Sequence, residues 1–436
     1  WLWGFTVDDA LVSCRVASHL AQGLGYRFNA GGPVVDAVTP LGYAHLLALR
    51  AAEGPLSTLH AAKWLGAVAV VVAGFALGRR VLGRTTSGYG GALLACLAVT
   101  SPIAAWAVSG METGLVTALA VGALGGGKGA DACAALASAW RPELIPWCLS
   151  IRFGLRLTEG APLGRAAASA ALAASGALIV AVVRTLAFGR AAPLSVFAKP
   201  SDLQHGLSYA LHAFVQTGLP LLCVAPFSLR RGAPVARAVA LSGLIHFIAL
   251  AAAGGDWMSL YRLAVPVLPS FVLGAAELSR VAPPWASWLR AGLAFAMSTY
   301  LTLLVGTTGR HVMQDREQLI REARAALVGA RSVAALDIGW VGAASEADIV
   351  DLAGITDEAV AVLPGGHTSK RIDDALLRRR NVDALVLLRS GSGGGYAREV
   401  ERRAALLPSV EPFRITHTLQ AGRGSVYVVL RRPEPY

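Results

Sequence analysis

A succession of apolar stretches, at about residues 60–78, 90–108, 163–188, 205–228, 235–253, 260–279 and 285–305, restricts this chain more than any other feature. Most approach the roughly 20 residues that a helix needs to cross the hydrocarbon of a bilayer. Composition agrees, because 55% of the 436 residues are hydrophobic, 15% are charged and the mean hydropathy is +0.54, well outside the make-up of a soluble domain. The chain reads as a polytopic α-helical membrane protein. Residues 40–53 are apolar but short, and read as a short span or a re-entrant helix. Residues 111–150 are broken by a glycine run at 125–127 and by Arg141-Pro142-Glu143.

The formal charge of +12 does not point to nucleic acid. Its arginines sit at the ends of apolar stretches, where they set topology and meet anionic headgroups, so the lipid bilayer is the expected partner. Arg152, Arg156 and Arg165, then Arg230, Arg231 and Arg237, then Arg280 and Arg290 mark a cytoplasmic side. Residues 188–200, 254–262 and everything after 306 then fall on the extracytoplasmic face of a cell (inner) membrane. Arg79, Arg80 and Arg84 favour a cytoplasmic loop as well, which would make residues 40–53 re-entrant. The sequence opens at Trp1, and Trp1–Phe5 reads as the last turn of a helix, so a leading span is expected to precede it.

From residue 310 the composition changes. An amphipathic helix is expected over 314–330, strands at 332–336, 348–352, 383–388 and 425–430, and helices at 369–380 and 396–407. The expected division is therefore 1–309 as a multi-span domain and 310–436 as a small extracytoplasmic α/β domain.

Most of the chemistry-bearing residues fall outside the apolar stretches or at their ends. Asp8 and Asp9 form an acidic pair at the head of a polar opening that runs through Asn29, and amphipathic stretches over 10–24 suit helices lying in the interface plane. Further on come Arg190 and Lys199, then Gly254-Gly255-Asp256-Trp257-Met258 with Arg262. Carboxylates beside cations near hydrocarbon are costly to desolvate and are commonly kept for a reaction or a pathway. Cations would hold a phosphate and stabilise it as a leaving group, while a carboxylate takes the proton of an acceptor hydroxyl. The structural alternative is that Arg190, Lys199 and Arg262 only snorkel to the interface. Glu112, between apolar runs, is expected to pair with Arg141, and a substrate-binding role is the alternative. The five cysteines and the histidines show no metal-ligand spacing, so no metal or cofactor is indicated, and the glycine run before Lys128 lacks P-loop spacing.

Five blocks carry a resemblance over most of the chain: DDALVSCRVASHLAQGLGYRFNAGGPVVDAVTPL from Asp8, SGMETGL at 109–115, FGRAAPLSVFAKP at 188–200, GGDWMSLYRLAVPVLP at 254–269, and LDIGWVGAASEADIVDLAGITDEAVA at 336–361. Together they resemble membrane glycosyltransferases of the GT-C superfamily, close to the mycobacterial terminal β-(1→2) arabinofuranosyltransferase group. The chain departs from that pattern at residues 191–196 and at Val35-Asp36. The resemblance implies a polyprenyl-phosphate sugar donor, a glycan or other cell-envelope acceptor outside the membrane, and an aspartate base in the first outer loop, mapped onto Asp8 and Asp9. It maps a loop arginine onto Arg15 and a later motif onto Asp256 and Arg262. The expected assignment is Asp8 and Asp9 as catalytic acids, Arg262, Lys199, Arg190 and Arg15 on the donor phosphate, and Asp256, Glu112, Asn29 and Trp257 on substrate, with transfer by one inverting displacement. A lipid-linked sugar flippase or secondary transporter is the alternative, although such proteins often carry internal repeats and none is evident here.

Overall fold

The computed structural model describes residues 1–199, 201–224, 233–391, 394–421 and 424–433. Arg230 and Arg231, used above for orientation, lie outside them. Trp1–Phe5 forms a turn closed by the Phe5 N–H on the Leu2 carbonyl at 2.8 Å, in place of the expected helix end.

Helix α1 (Asp8–Ala21) carries both acids in its first turn, where negative charge offsets the helix dipole. Residues 10–19 are buried on every side of it, so it is a core helix and not an interfacial one. α2 (Tyr43–Ala48) has only 6 residues, and residues 40–53 therefore do not cross as a span. α3 (Pro55–Leu82) begins at a proline and ends in Arg79 and Arg80. α4 (Ser87–Ala98) and α5 (Ser101–Ala107) meet at 57°, broken where Pro102 enters the first turn of α5 and removes a backbone donor. Next come α6 (Thr113–Ala123), α7 (Gly127–Trp140), α8 (Ile145–Thr158), α9 (Leu163–Phe188), α10 (Leu194–Ala198), α11 (Leu203–Thr217), α12 (Pro234–Ala252), α13 (Leu268–Leu278) and α14 (Pro284–Gly309).

Among the described residues, α3, α9, α12 and α14 are long and apolar enough to cross a membrane, and the bent pair α4–α5 brings the total to 5. Their outward faces carry exposed Val71, Phe75, Leu178, Leu186, Ile248 and Leu303, surface that water would not tolerate in such quantity. The described residues are thus compatible with a helical membrane protein, with fewer full spans than the apolar stretches suggest. Of the stretch at 205–228, α11 ends at Gly218 in the left-handed region, with φ 70°, and residues 225–228 lie outside the description. The stretch at 260–279 keeps only the 11-residue α13, because Pro266 and Pro269 interrupt it.

The chain divides into two compact units. One comprises Trp1–Phe5, Ala62–Val183 and Ser201–Arg310; the other comprises Thr6–Ala61, Arg184–Pro200 and His311–Tyr436. The division expected at residue 310 is thus incomplete, since the second unit also takes in the polar opening and the segment after α9.

In the first unit the basic residues gather at one end. Arg84 reaches Glu277 at 2.5 Å, Arg280 reaches the same carboxylate at 3.4 Å, Arg80 donates to the Val121 carbonyl at 3.2 Å, and Arg152 and Arg156 hold Asp131 at 2.7 and 2.8 Å. α12 leads from that end, where Ala233 and Ala236 pack on Leu278, to the loop at 254–262. Near that loop Lys63 donates its Nζ to the Trp3, Phe5 and Val108 carbonyls at 3.0, 2.7 and 2.6 Å. A charged side chain among hydrocarbon neighbours is retained by such carbonyl acceptors.

The second unit adds α15 (Val312–Ala326), β1 (Ser332–Ala335), α16 (Ile338–Ala344), β2 (Asp348–Asp351), α17 (Glu358–Ala361), α18 (Asp374–Arg379), β3 (Ala384–Arg389), α19 (Glu399–Ala405), β4 (Arg414–Ala421) and β5 (Ser425–Arg431). The sheet order is β2-β1-β3-β5-β4. β1 pairs in parallel with β2 and β3 in the registers Val333↔Ile349 and Val333↔Ala384, and β5 runs antiparallel to both β3 and β4. Leu336, Val350, Leu385, Leu387, Val400 and Val428 form part of its core. The four expected strands are present, and β4 was missed because its exposed side chains give no apolar run. α1 packs against α16 at a glycine face: a Cβ at Gly339 would stand 2.1 Å from the Asp8 carbonyl oxygen, so no larger residue fits that contact.

Candidate functional site

In the α/β unit the acid pair divides its duties. Asp8 is partly buried, and its Oδ2 and Oδ1 accept the Gly339 and Trp340 N–H groups at 2.7 and 2.9 Å. Burial raises its carboxyl to about 6, with Asp337 pushing the same way, while Arg316 and the two peptide N–H groups pull it back. Asp337, just past β1, takes both arms of Arg398 at 3.0 and 2.7 Å, and the Tyr427 hydroxyl donates to it. Arg398 also holds Glu401 at 2.7 Å, and Glu401 accepts the Leu388 N–H at 2.9 Å. Burial alone would raise the Asp337 carboxyl, but Arg398, Arg316 and Tyr427 overcome it and hold it at about 2. Asp8 therefore anchors the start of α1, and Asp9 is the acid of the pair not used for that cap.

Three expected ligand residues of this unit have structural duties. Arg15 donates Nε to the Phe28 carbonyl at 2.8 Å, Nη1 to the Gly342 and Ser345 carbonyls and Nη2 to the Ala347 carbonyl at 2.9 Å. Those contacts use each of its nitrogens, so it clasps backbone where a phosphate was expected. Asn29 gives and takes one hydrogen bond with the Ile349 backbone, both at 2.9 Å; it stands in for a neighbouring strand at the edge of β2 and not for a substrate contact. Arg190 lies 3.4 Å from Glu358 and over the Phe197 ring at 5.4 Å. Lys199 sits at the C-cap of α10. Arg184, which the sequence reading passed over, pairs with Asp36 at 2.7 Å and ties down the Val38-Thr39 backbone.

The first unit brings together most of the remaining expected residues. Arg262 and Asp256 form a buried ion pair at 2.8 Å, and the guanidinium lies 5.6 Å from the centre of the Trp106 ring. Arg141 pairs with Glu112 at 2.9 Å, as the sequence suggested, and with Glu143 at 3.3 Å. Tyr209 is close enough to feel the charges of Asp256, Arg262 and Arg141 together, and its hydroxyl accepts the Leu263 N–H at 3.1 Å. The loop that presents the pair is strained. Gly254 and Gly255 are left-handed, and so are Leu260 and Tyr261 at φ 61° and 52°, a state that costs a non-glycine residue roughly 1 kcal/mol or more. The glycines are required in addition by space, because a Cβ on Gly255 would lie 2.7 Å from that of Tyr209. The Leu260 carbonyl is held by the Trp106 indole N–H at 3.0 Å.

Beside the pair opens a cavity of about 370 Å3, lined by His205, His212, Gln216, Asp256 and Tyr261 on one side and by Leu301, Leu304 and Val305 of α14 on the other. Trp257 stacks on His205 at 4.1 Å and 9°, and remains 62% exposed. The sequence reading singled out Asp256 and Trp257 here but missed His212, Gln216 and Tyr261. A signal existed, because residues 205, 208, 209, 212 and 216 recur at helical spacing as a polar stripe on an otherwise apolar segment. Among the described residues no group of three or more His, Cys, Asp and Glu could hold a metal ion.

The fold combines several helices long and apolar enough to cross a membrane with a small C-terminal α/β domain, as in a membrane protein. One family's model matches it, a domain of unknown function (DUF8728) at residues 309–428, which covers the α/β domain and none of the spans. No curated protein and no solved structure matches the chain.

Proposed function

We propose that the protein is a membrane glycosyltransferase that moves a sugar, arabinofuranose by the sequence resemblance, from a polyprenyl-phosphate donor to an extracytoplasmic glycan or other envelope acceptor. The observation that carries this reading is the buried Asp256–Arg262 pair, held in a strained loop beside a cavity whose far wall is a membrane helix. Ionisable residues at such a place are expensive and are normally kept for function, and strain of this kind collects at sites of chemistry. The arginine-rich end of the first unit faces the cytoplasm under the positive-inside rule, which gives the 254–262 loop to the outer face; the α/β domain is assigned to the outside as well.

The reaction is one displacement at the anomeric carbon. The acceptor oxygen forms the new C–O bond as its proton passes to a carboxylate, and polyprenyl phosphate leaves with the bonding electrons. The sequence resemblance assigns the proton to Asp8 or Asp9, of which Asp8 accepts the Gly339 and Trp340 N–H groups. Arg262 is assigned to the phosphate, where a guanidinium stabilises the charge that develops on the leaving group. Arg15 is withdrawn from that role.

The test is incubation of the purified protein in nanodiscs with a radiolabelled polyprenyl-phosphate pentose and a short arabinan acceptor, with the product resolved by chromatography. Transfer is expected, reduced about 100-fold or more in Asp8→Asn or in Asp9→Asn, assayed separately. Absence of transfer with pentose and hexose donors alike overturns the assignment, and full activity in both variants removes the proposed base.

A further inference from the structure

We infer that the cavity between α11, the 254–262 loop and α14 is a saccharide subsite, built for the uncharged, hydroxyl-bearing ring of a lipid-linked sugar and not for its phosphate. The inference rests on the reading above that the protein handles lipid-linked sugars, and it assigns a place and a set of residues to the ring.

The argument comes from the hydrogen-bonding roles that remain on the wall. His212 Nδ1 lies 2.8 Å from the Ser208 carbonyl. A carbonyl only accepts, so Nδ1 carries the proton and Nε2 is left as an acceptor. His205 Nε2 lies 3.2 Å from the Asp256 carbonyl, which by the same reasoning leaves Nδ1 as its acceptor. The Tyr261 hydroxyl donates to Gln216 Oε1 at 2.5 Å; its oxygen can then accept, and the Gln216 amide keeps its N–H donors. The wall thus offers the Gln216 amide as a donor and two imidazole nitrogens and the Tyr261 oxygen as acceptors. A sugar hydroxyl both donates and accepts, so this wall matches a ring bearing several of them, whereas a phosphate would need donors alone.

Charge and shape agree. Asp256, the one acid among the lining residues, is paired with Arg262 at 2.8 Å, so its charge does not repel a neutral ring. Next to the cavity, Trp257 stacks on His205 and remains exposed, an aromatic surface of the kind on which the C–H side of a sugar ring rests. The opposite wall is aliphatic and continues into lipid-facing surface, with Leu304 57% exposed. An amphiphile fits that division, its ring on the polar wall and its chain along α14. The volume of about 370 Å3 lies at the small end of ligand sites, which suits one ring and not an oligosaccharide.

The experiment compares two probes on the full chain in nanodiscs: a short-chain polyprenyl phosphate carrying one pentose, and the same polyprenyl phosphate without sugar. Dissociation constants are measured for the wild type and for Gln216→Leu, His212→Leu and Tyr261→Phe. The wild type is expected to prefer the sugar-bearing lipid by about tenfold, the worth of one to two net hydrogen bonds. Each variant should reduce that preference towards unity while binding the bare lipid phosphate as before. Retention of the bare-lipid constant reports that the variant is folded, and Tyr261→Phe, which removes a single oxygen, reads the same contact should Gln216→Leu fail to fold. A wild type with no preference, or variants that keep it, overturns the subsite. Transfer by the wild type with unchanged preference in the variants removes the subsite and leaves the transferase; preference that is lost in the variants, without transfer by the wild type, removes the transferase and leaves the subsite.

Discussion

The two units use the same pair of chemical groups in opposite ways. In the α/β unit Asp337, Arg398, Glu401 and Tyr427 saturate one another: the guanidinium bonds two carboxylates, and a carboxylate returns to the sheet through the Leu388 N–H. In the membrane unit Arg262 pairs with Asp256 and lies over the Trp106 ring, and Arg141 Nη2 beside Glu112 is buried without a hydrogen-bond partner among the described residues. A saturated network holds a fold in one arrangement. The Asp256–Arg262 pair sits instead in a loop with left-handed Leu260 and Tyr261 at the edge of a cavity, and strain of this kind collects at functional sites.

The largest effect should come from the saturated side. Arg398→Ala strands two buried carboxylates and is expected to cost about 3–5 kcal/mol of stability, read as a lowered thermal midpoint or as proteolysis of the α/β unit in the full-length protein. A loss near zero would erase the contrast. Next is Arg262→Gln, which keeps a hydrogen-bond donor for Asp256 but removes the charge; kcat/KM for sugar transfer should fall about 100-fold, or ~2.7 kcal/mol, with the thermal midpoint little changed. If the midpoint falls and the activity per folded molecule does not, Arg262 is structural like Arg398. Tyr427→Phe deletes one donor to Asp337 and should lower stability by about 1 kcal/mol, with no change in donor binding.

The smallest effect is a pH slope within the α/β unit. The folded Asp337 carboxyl is held at about 2, below its ordinary 3.8, so its contribution is fully present above the ordinary value and is lost as pH falls towards 2. Asp8 behaves in the opposite sense. Its folded carboxyl is raised to about 6, the folded protein holds that proton more tightly than the unfolded chain, and stability declines as pH rises from about 4 to 6. The midpoint of Asp8→Asn relative to wild type should therefore climb between pH 4 and 6 and level off above it. A flat difference across that window would mean that Asp8 is solvated and does not cap α16.

Particular residues show where sequence reading stops. The strands at 332–335, 348–351, 384–389 and 425–431 were visible because buried strands read as short continuous apolar runs, and Glu112 met Arg141 as a lone acid near a lone base in apolar surroundings should. Arg15 and Asn29 were misread as ligand contacts. Each is polar and sits beside an acidic motif, but each satisfies backbone groups more than 300 positions away, and no local pattern announces that. The spans were overcounted for a different reason. Hydropathy scores a window without weighing the proline or left-handed glycine that ends a helix inside it, as at Pro102, Gly218 and Pro266.

By itself the sequence determined that the chain carries helices apolar enough for a membrane and that its last third folds as an α/β domain, because both follow from the solvent preference and spacing of consecutive residues. Only the tertiary structure decided that Asp8 is a cap, that Arg15 is a clasp, and that a histidine and a glutamine on α11 share one cavity wall with a tyrosine from the 254–262 loop. Those facts depend on which distant backbone groups and side chains need a partner once water has been excluded, and that demand exists only after the chain has folded.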